Sequence, residues 1–146
     1  MATARRHRTL ATTPEELWEV IGDPHHFPRW WPGVGRVEGV GPNGFTQVFT
    51  TKKGRQVRVD FLIVASDPPW RLAFSQEIPG TPFERVLAES VTEIVLEPAA
   101  DGTLVTIAQR QKMRGYSRTG GLMLRRATNK RLDEALEGLE RICAAG

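Results

Sequence analysis

The sequence predicts an α+β fold in which an antiparallel sheet of seven strands is covered on one face by a long C-terminal helix. Three observations lead to this prediction. Residues 34–113 alternate between apolar and polar side chains and are broken by frequent turn signals, which is typical of strands joined by short loops. A helix-capping sequence comes before this region. Residues 118–144 repeat apolar side chains at the three- and four-residue spacing of a helix.

The chain is expected to begin with a strand near residues 4–11 that leads into a short helix. Thr13 is the expected N-cap of this helix, with Pro14 at the first helical position and the Glu16 carboxylate reaching back towards the cap. Gly22 is placed to end the helix with a positive φ, a conformation that glycine adopts readily.

A second short helix is predicted directly after the first. Asp23 and Pro24 repeat the capping pattern, and this helix is expected to run through Phe27 and to end before Pro28. Six further strands follow, near residues 34–40, 45–51, 55–65, 70–77, 84–97 and 103–113. Their connections are too short for parallel crossovers, so we expect neighbouring strands to be antiparallel.

The alternation within the strands predicts which side chains face the covered side of the sheet. In the sixth of the seven strands, Val86, Ala88 and Ser90 fall on this face, while Glu89 falls on the other. We expect Gly120-Gly121 to form a hinge before the C-terminal helix. That helix should cover the sheet through its apolar side chains, Leu132, Ala135, Leu136, Leu139, Ile142 and Cys143.

The composition is that of an ordinary globular protein of 146 residues, with 40% hydrophobic and 25% charged residues and a net charge of +3. A charge this small indicates no particular partner. Cys143 is the single cysteine, which excludes an intramolecular disulfide. No apolar run approaches the roughly 20 residues that span a bilayer, and the N-terminus lacks the apolar stretch of a signal peptide. We therefore expect one domain over residues 1–146, located in the cytoplasm, with no integral membrane segment.

Several short motifs, taken in order, cover nearly the whole chain and carry a family resemblance. They are Thr13-Pro14-Glu15-Glu16-Leu17-Trp18, the segment from Phe27 to Val34, Leu96-Glu97-Pro98 with the segment from Asp101 to Thr106, and the helix from Gly120 to Leu139. The sequence resembles the polyketide cyclase/dehydrase and lipid-transport family, which is related to START lipid-transfer domains and to the major birch pollen allergen. The resemblance implies a helix-grip fold, in which a curved sheet wraps around the long helix and leaves a cavity. In this family the cavity holds sterols, lipids, polyketides or aromatic molecules, and some members catalyse aldol cyclisation and dehydration.

The inward face of the sheet and the ends of the helices supply the candidate ligand-binding residues. Four of them are polar side chains on a mostly apolar wall, and they need hydrogen-bond partners that either a ligand or their protein neighbours could supply. Tryptophans 30 and 31 could stack on a ligand or brace the short helices, and the candidate methionines could line the cavity or fill the core. The full set is Trp30, Phe49, Val59, Phe61, Leu72, Phe74, Gln76, Val86, Ala88, Ser90, Gln109, Gln111, Met113, Tyr116 and Met123.

No catalytic residue, cofactor or metal site is predicted. The adjacent residues His25 and His26 point in different directions along a helix, which disfavours a shared metal ion. The long helix begins with a basic cluster that could bind a lipid headgroup or an anionic membrane, although a solvated face is the favoured interpretation. This cluster consists of Arg118, Arg125, Arg126, Lys130 and Arg131. It has no interleaved aromatic side chains, so we expect no nucleic-acid partner.

Two leading functions are consistent with these features, and a protein-interaction or stress-associated module with the same fold is a third class. The first is a carrier or sensor that binds a small hydrophobic or aromatic molecule, lipid or polyketide-like, in the cavity. The second is an aromatase/cyclase-like enzyme, which would need one group to remove an α-proton and another to polarise a ketone. The inward face offers amides and a hydroxyl but no clear base, so the sequence favours binding. Nothing in it indicates an oligomeric state.

Overall fold

The computed structural model describes residues 2–115 and 118–145 and contains the predicted seven strands and long helix. Two short 3-10 helices, Pro24–His26 and Pro82–Arg85, lie between the main elements. The α+β prediction is confirmed. In chain order the elements are β1 (Ala2–Leu10), α1 (Pro14–Ile21), α2 (Phe27–Trp30), β2 (Val34–Glu38), β3 (Gly44–Thr50), β4 (Gln56–Asp67), β5 (Arg71–Gln76), β6 (Leu87–Ala99), β7 (Gly102–Met113) and α3 (Arg118–Ala145).

All seven strands form one curved antiparallel sheet in the order β1-β7-β6-β5-β4-β3-β2. Strands β2 to β7 therefore lie next to each other in the order of the sequence, and β1 pairs with β7 at the edge of the sheet. Helix α3 packs mainly against β1, β7 and α2. Because the helix sits towards this side, the concave face of the middle strands is left without a helix directly against it.

The core lies between α3 and the concave face of the sheet. The α3 side chains Leu132, Ala135, Leu136 and Leu139 are completely buried. Helix α2 approaches α3 closely at Gly138, where an added Cβ atom would lie 2.5 Å from the backbone oxygen of Trp30. A glycine is therefore needed at this crossing for steric reasons. Within the described ranges, no helix is both long enough and apolar enough to cross a membrane.

Thr13 caps α1 as predicted, but the C-terminal end of α1 differs from our expectation. The Thr13 hydroxyl accepts a hydrogen bond from the backbone N–H of Glu16, and the Glu16 carboxylate accepts one from the Thr12 hydroxyl. Gly22 has a φ of −75°, so the predicted positive φ is wrong. Glycine is required there because a Cβ atom would lie 2.5 Å from the indole nitrogen of Trp18.

Two other local predictions about helices are also wrong. The second helical segment does not end before Pro28, because α2 runs from Phe27 to Trp30 and includes this proline. Proline is tolerated there since the first turn of a helix does not use its backbone N–H groups in helical hydrogen bonds. Gly120-Gly121 forms no hinge before the long helix, because both residues lie within α3.

The N-terminal end of β6 departs from simple alternation. Leu87 pairs with Met113 and the next paired residue is Glu89, opposite Lys112, so a β-bulge leaves Ala88 unpaired. The bulge turns Leu87 inwards and buries it, whereas Val86 and Ala88 are exposed. The prediction that Val86 and Ala88 face the covered side is therefore wrong, and from Ser90 onwards it is correct.

Candidate functional site

A cavity of about 450 Å³ lies between the concave face of the sheet and helix α3. Its walls come from the chain before β2, from β3 to β7, from the second 3-10 helix and from one side of α3. The lining residues are Trp31, Pro32, Gly33, Gln47, Phe49, Thr51, Val57, Val59, Phe61, Phe74, Gln76, Phe83, Ser90, Gln109, Gln111, Arg131 and Glu134.

Part of the wall is aromatic and rigidly packed. Phe61 and Phe74 meet edge to face with ring centroids 5.3 Å apart, and both rings also contact Phe45 behind them. Trp31 contacts Phe27 in an edge-to-face arrangement with centroids 6.0 Å apart. Aromatic pairs of this kind hold each other in place, so this wall presents flat apolar surfaces of fixed orientation.

The polar part of the wall is only partly satisfied by the protein itself. The amide nitrogen of Gln109 donates to the Thr92 hydroxyl at 2.9 Å, and the Thr128 hydroxyl donates to the amide oxygen of Gln111 at 3.2 Å. These bonds occupy one end of each amide. The side chains of Gln76 and Ser90 make no hydrogen bond with any other described residue. The cavity therefore offers unused donors and acceptors.

Gln47 is one of three polar residues of this wall that the sequence analysis missed, together with Thr51 and Glu134. Gln47 lies on β3, is only 1% exposed, and its amide nitrogen has no acceptor within the described residues. An unpaired buried amide costs about 1–3 kcal/mol, so an acceptor from a ligand would relieve this penalty. The signal in the sequence was its position two residues from Phe45 and from Phe49, which places all three on one face of the strand.

Helix α3 contributes one positive and one negative side chain to the cavity. The Arg131 guanidinium lies 5.7 Å from the ring centroid of Phe49, a cation–π distance. Burial lowers the pKa of Arg131 from its usual value, and the negative charge of nearby Glu134 opposes this shift. The surrounding protein only partly encloses Arg131, because this residue lines the open cavity and is exposed to solvent there. It remains a cation at neutral pH because arginine does not lose its proton in proteins.

Comparison with known proteins identifies the family. The sequence pattern of the family described as polyketide cyclase / dehydrase and lipid transport matches residues 1–144. The chain belongs to this family. An uncharacterised protein of Mycobacterium tuberculosis is 27% identical over 136 residues, which cover 90% of this chain and 78% of the relative. A protein of Mycobacterium bovis matches to the same extent.

Solved structures show the same fold at low sequence identity. A START superfamily protein from Mycobacterium smegmatis superposes with a TM-score of 0.80 at 10% identity, over 99% of both chains. The di-domain ARO/CYC protein StfQ from the steffimycin biosynthetic pathway gives a TM-score of 0.79 at 15% identity, over 99% of this chain and 51% of StfQ. The expected helix-grip, START-related architecture of this polyketide cyclase/dehydrase family member is thus confirmed.

Eight of the fifteen candidate residues line the cavity of this family member, and the structure brings them together from five strands. They are Phe49, Val59, Phe61, Phe74, Gln76, Ser90, Gln109 and Gln111. Because β4, β5 and β7 keep strict alternation at these positions, the sequence pattern located them. Whether they contact a ligand remains a prediction.

Six of the other candidates are described by the structure, and they do not line the cavity. Trp30 and Leu72 are buried in the hydrophobic core, and Trp30 stacks on Phe27 as a brace for the short helices. Met113 pairs with Leu87 at the end of β7. Three more, Val86, Ala88 and Met123, are exposed on the surface, and Tyr116 lies outside the described residues.

The histidines predicted to be unsuitable for metal binding lie at the surface. The Asp23 carboxylate is 2.8 Å from the Nδ1 atom of His25 and 3.7 Å from the Nε2 atom of His26. No group of three or more metal-ligating side chains is present in the part of the chain that the structure describes. Asp23 caps the first 3-10 helix, His25 and His26 lie within that helix, and none of the three lines the cavity.

Chemically, this arrangement can enclose a molecule of moderate size between flat aromatic surfaces and hydrogen-bond its oxygen or nitrogen atoms. Cavities of about 300–1,000 Å³ with mostly apolar walls and a few directed polar groups are typical small-molecule sites. Glu134 adds a carboxylate to the wall, a group that the inward strand residues lack. The family member therefore has a cavity with the features of a small-molecule binding site and one acidic side chain in its wall.

Proposed function

We propose that the protein binds a small hydrophobic or aromatic molecule with polar substituents in the cavity between the sheet and α3, and acts as its carrier or sensor. One observation carries this proposal. Gln47 is buried at the cavity with an amide nitrogen that has no acceptor in the described chain, although the polar groups around it are partly paired. A bound molecule that accepts a hydrogen bond would remove this cost.

The walls support the same proposal. Flat rings at Phe61 and Phe74 offer large apolar surfaces without conformational freedom, so little entropy is lost when a planar molecule is enclosed. A cavity of about 450 Å³ is also far larger than a packing defect, and protein interiors have few voids larger than a water molecule. The space therefore needs an occupant or solvent.

Binding can be tested with a fluorescent hydrophobic probe and with variants that fill the space. N-phenylnaphthylamine, a neutral aromatic dye, should fluoresce with the wild-type protein and should be excluded from Ser90→Phe, whose ring would occupy the cavity. The matched control is Val91→Phe, because Val91 is the next residue on β6 and faces the other side of the sheet. The proposal would be contradicted if the wild-type protein did not bind the dye. It would also be contradicted if Ser90→Phe and Val91→Phe bound the dye equally well. Mass spectrometry of solvent extracts from freshly purified protein would then identify the natural ligand.

A second candidate function is favoured by Glu134. Aldol cyclisation needs a base to remove an α-proton and a donor to polarise the accepting ketone, and Glu134 and the amides provide such groups. The neutral variant Glu134→Gln should then abolish turnover of a poly-ketone substrate while dye binding is retained. Without measurable turnover by the wild type, the enzyme hypothesis fails and the binding proposal is unaffected.

A further inference from the structure

One cation in the cavity has no direct acceptor among the described residues. Arg131 makes no hydrogen bond or ion pair with them. Its guanidinium lies 5.7 Å from the Phe49 ring centroid, and the charge of nearby Glu134 acts on it without forming an ion pair. Some arginines are paired, such as Arg71 with Glu93 at 2.6 Å and Arg6 with Asp133 at 2.8 Å. Others, such as the exposed Arg126, form no ion pair with a described residue and are solvated. Arg131 also lacks an ion pair, but it lines the cavity, where its free guanidinium donors are available to a ligand.

Two donor groups flank the same aromatic ring. Gln47 and Phe49 are two residues apart on β3, so their side chains lie on the same face about 7 Å apart. Arg131 lies over the Phe49 ring from the α3 side. Gln47 lines the cavity, and its amide nitrogen has no acceptor among the described residues. This corner of the cavity therefore has a cation and a neutral donor group, and neither has an acceptor in the described parts of the chain.

We infer that the natural ligand is a hydrophobic carboxylate whose anionic group is bound by Arg131 and Gln47, with its apolar body against the aromatic wall. This inference rests on the proposed function and names the ligand class for the same cavity. Guanidinium groups match the planar carboxylate with two parallel hydrogen bonds, which combine charge and geometry. The Phe49 ring limits the orientation of the guanidinium before the ligand arrives.

A monoanion fits this site better than a dianionic phosphate. Arg131 is the one cation among the described residues that line the cavity, and the Glu134 carboxylate lies in the same wall. A second negative charge on the ligand would face Glu134 without a second cation to balance it. Glu134 also borders a neighbouring groove that contains Arg29 and Arg141, so it stands at the edge of the cavity rather than at its centre.

The experiment compares naphthoate with its neutral amide, naphthamide, as competitors that displace N-phenylnaphthylamine. The wild type should bind naphthoate at least about tenfold more tightly than naphthamide. The reason is that hydrogen bonds between a guanidinium and a carboxylate are stronger than those to a neutral amide. Arg131→Gln should remove this preference, because it should weaken naphthoate binding by about tenfold or more and naphthamide binding by much less. Glu134→Gln should increase naphthoate affinity because it removes a repelling charge. Arg126→Gln is the matched control, since it removes an exposed positive charge of α3 away from the cavity.

The possible results separate this inference from the proposal on which it rests. If the dye does not bind the wild type, the proposed function fails. If the dye binds but naphthoate and naphthamide compete equally, the cavity takes neutral ligands and the inference is overturned. Equal loss of naphthoate affinity in Arg126→Gln and Arg131→Gln would indicate general charge attraction and would also overturn it. Should Arg131→Gln fail to fold, Arg131→Lys keeps the charge but loses the planar fork, and naphthoate preference should fall without vanishing.

Discussion

At the scale of single residues, the structure explains two positions that ordinary preferences would not allow. Gly138 lies in the middle of a long helix, where glycine is unfavourable by about 1 kcal/mol relative to alanine. Gln47 is a buried polar residue whose amide nitrogen has no partner among the residues described. The first is retained because two helices cross there. The second would be accounted for by the ligand that we propose.

The Gly138 crossing makes a direct prediction about stability. Gly138→Ala should lower the free energy of unfolding by about 1–2 kcal/mol, because the new Cβ atom would overlap the Trp30 backbone at 2.5 Å and outweigh the gain in helix propensity. Gly121→Ala is the control on the same helix, since nothing lies within 4 Å of its added Cβ atom. This control should be stabilised by up to about 1 kcal/mol. Urea unfolding measures both, and equal midpoints for the two variants would contradict the close crossing.

The unpaired amide predicts a variant that is more stable than the wild type. Gln47→Met has a similar shape without the polar group, so the ligand-free protein should gain about 1 kcal/mol of unfolding free energy. Gln109→Met should lose stability instead, because its amide donates to the Thr92 hydroxyl at 2.9 Å. Thermal unfolding of ligand-stripped protein compares the two. A loss of stability in Gln47→Met would show that its amide has a structural role that these contacts do not reveal.

At the scale of elements, the strands and the long helix could be predicted because their periods are strong and uninterrupted. All seven strands exist, and α3 covers Arg118–Ala145 against a prediction of residues 118–144. The bulge in β6 could not be predicted, since Val86, Leu87 and Ala88 are all apolar and any of them suits a buried position. One extra residue in a strand moves all side chains on one side of the bulge to the opposite face of the sheet. No particular residue type in the sequence marks this change.

The bulge predicts opposite responses from two neighbouring residues. Leu87 is 7% exposed and Val86 is 54% exposed. Leu87→Ala should therefore cost about 2 kcal/mol or more, whereas Val86→Ala should change the free energy of unfolding by less than about 0.5 kcal/mol. Chemical denaturation resolves this difference easily. The reverse order of effects would mean that β6 alternates without a bulge and that Val86 faces inwards.

The helical spacing in α3 contained information about the position of Arg131, but the positive charge of this residue pointed to a different interpretation. Arg131 belongs to a run of basic residues, which favoured a solvated face. It is also three residues after Thr128 and four before Ala135, and both of these are buried. Helical spacing therefore places Arg131 beside the covered side of α3, although the sequence analysis favoured a solvated face for it. The charge pattern alone was insufficient because long cationic side chains occupy both surfaces and cavity walls.

At the scale of the whole molecule, α3 is packed firmly in its C-terminal half, borders the cavity near its middle at Arg131 and Glu134, and is more exposed in its N-terminal half. From Leu132 to Leu139, α3 buries four side chains completely against β1, β7 and α2. In its N-terminal half, Leu122 and Met123 are exposed by 49% and 65%. Local opening follows the density of buried apolar contacts, so the two halves should differ in their opening free energies.

Hydrogen exchange can measure this gradient and its link to binding. Amides from 132 to 139 should exchange at rates close to those of global unfolding, whereas amides from 121 to 127 should exchange much faster. Saturation with N-phenylnaphthylamine should slow exchange in the cavity-facing turns around Thr128 and Arg131, because binding to the native state lowers the population of open forms. The β1 amides that pair with β7 serve as the internal control, and the dye should slow their exchange less than that of the cavity-facing turns of α3. Uniform protection along α3, or equal slowing of α3 and β1, would show that helix and sheet open as one unit and that the cavity side has no separate motion.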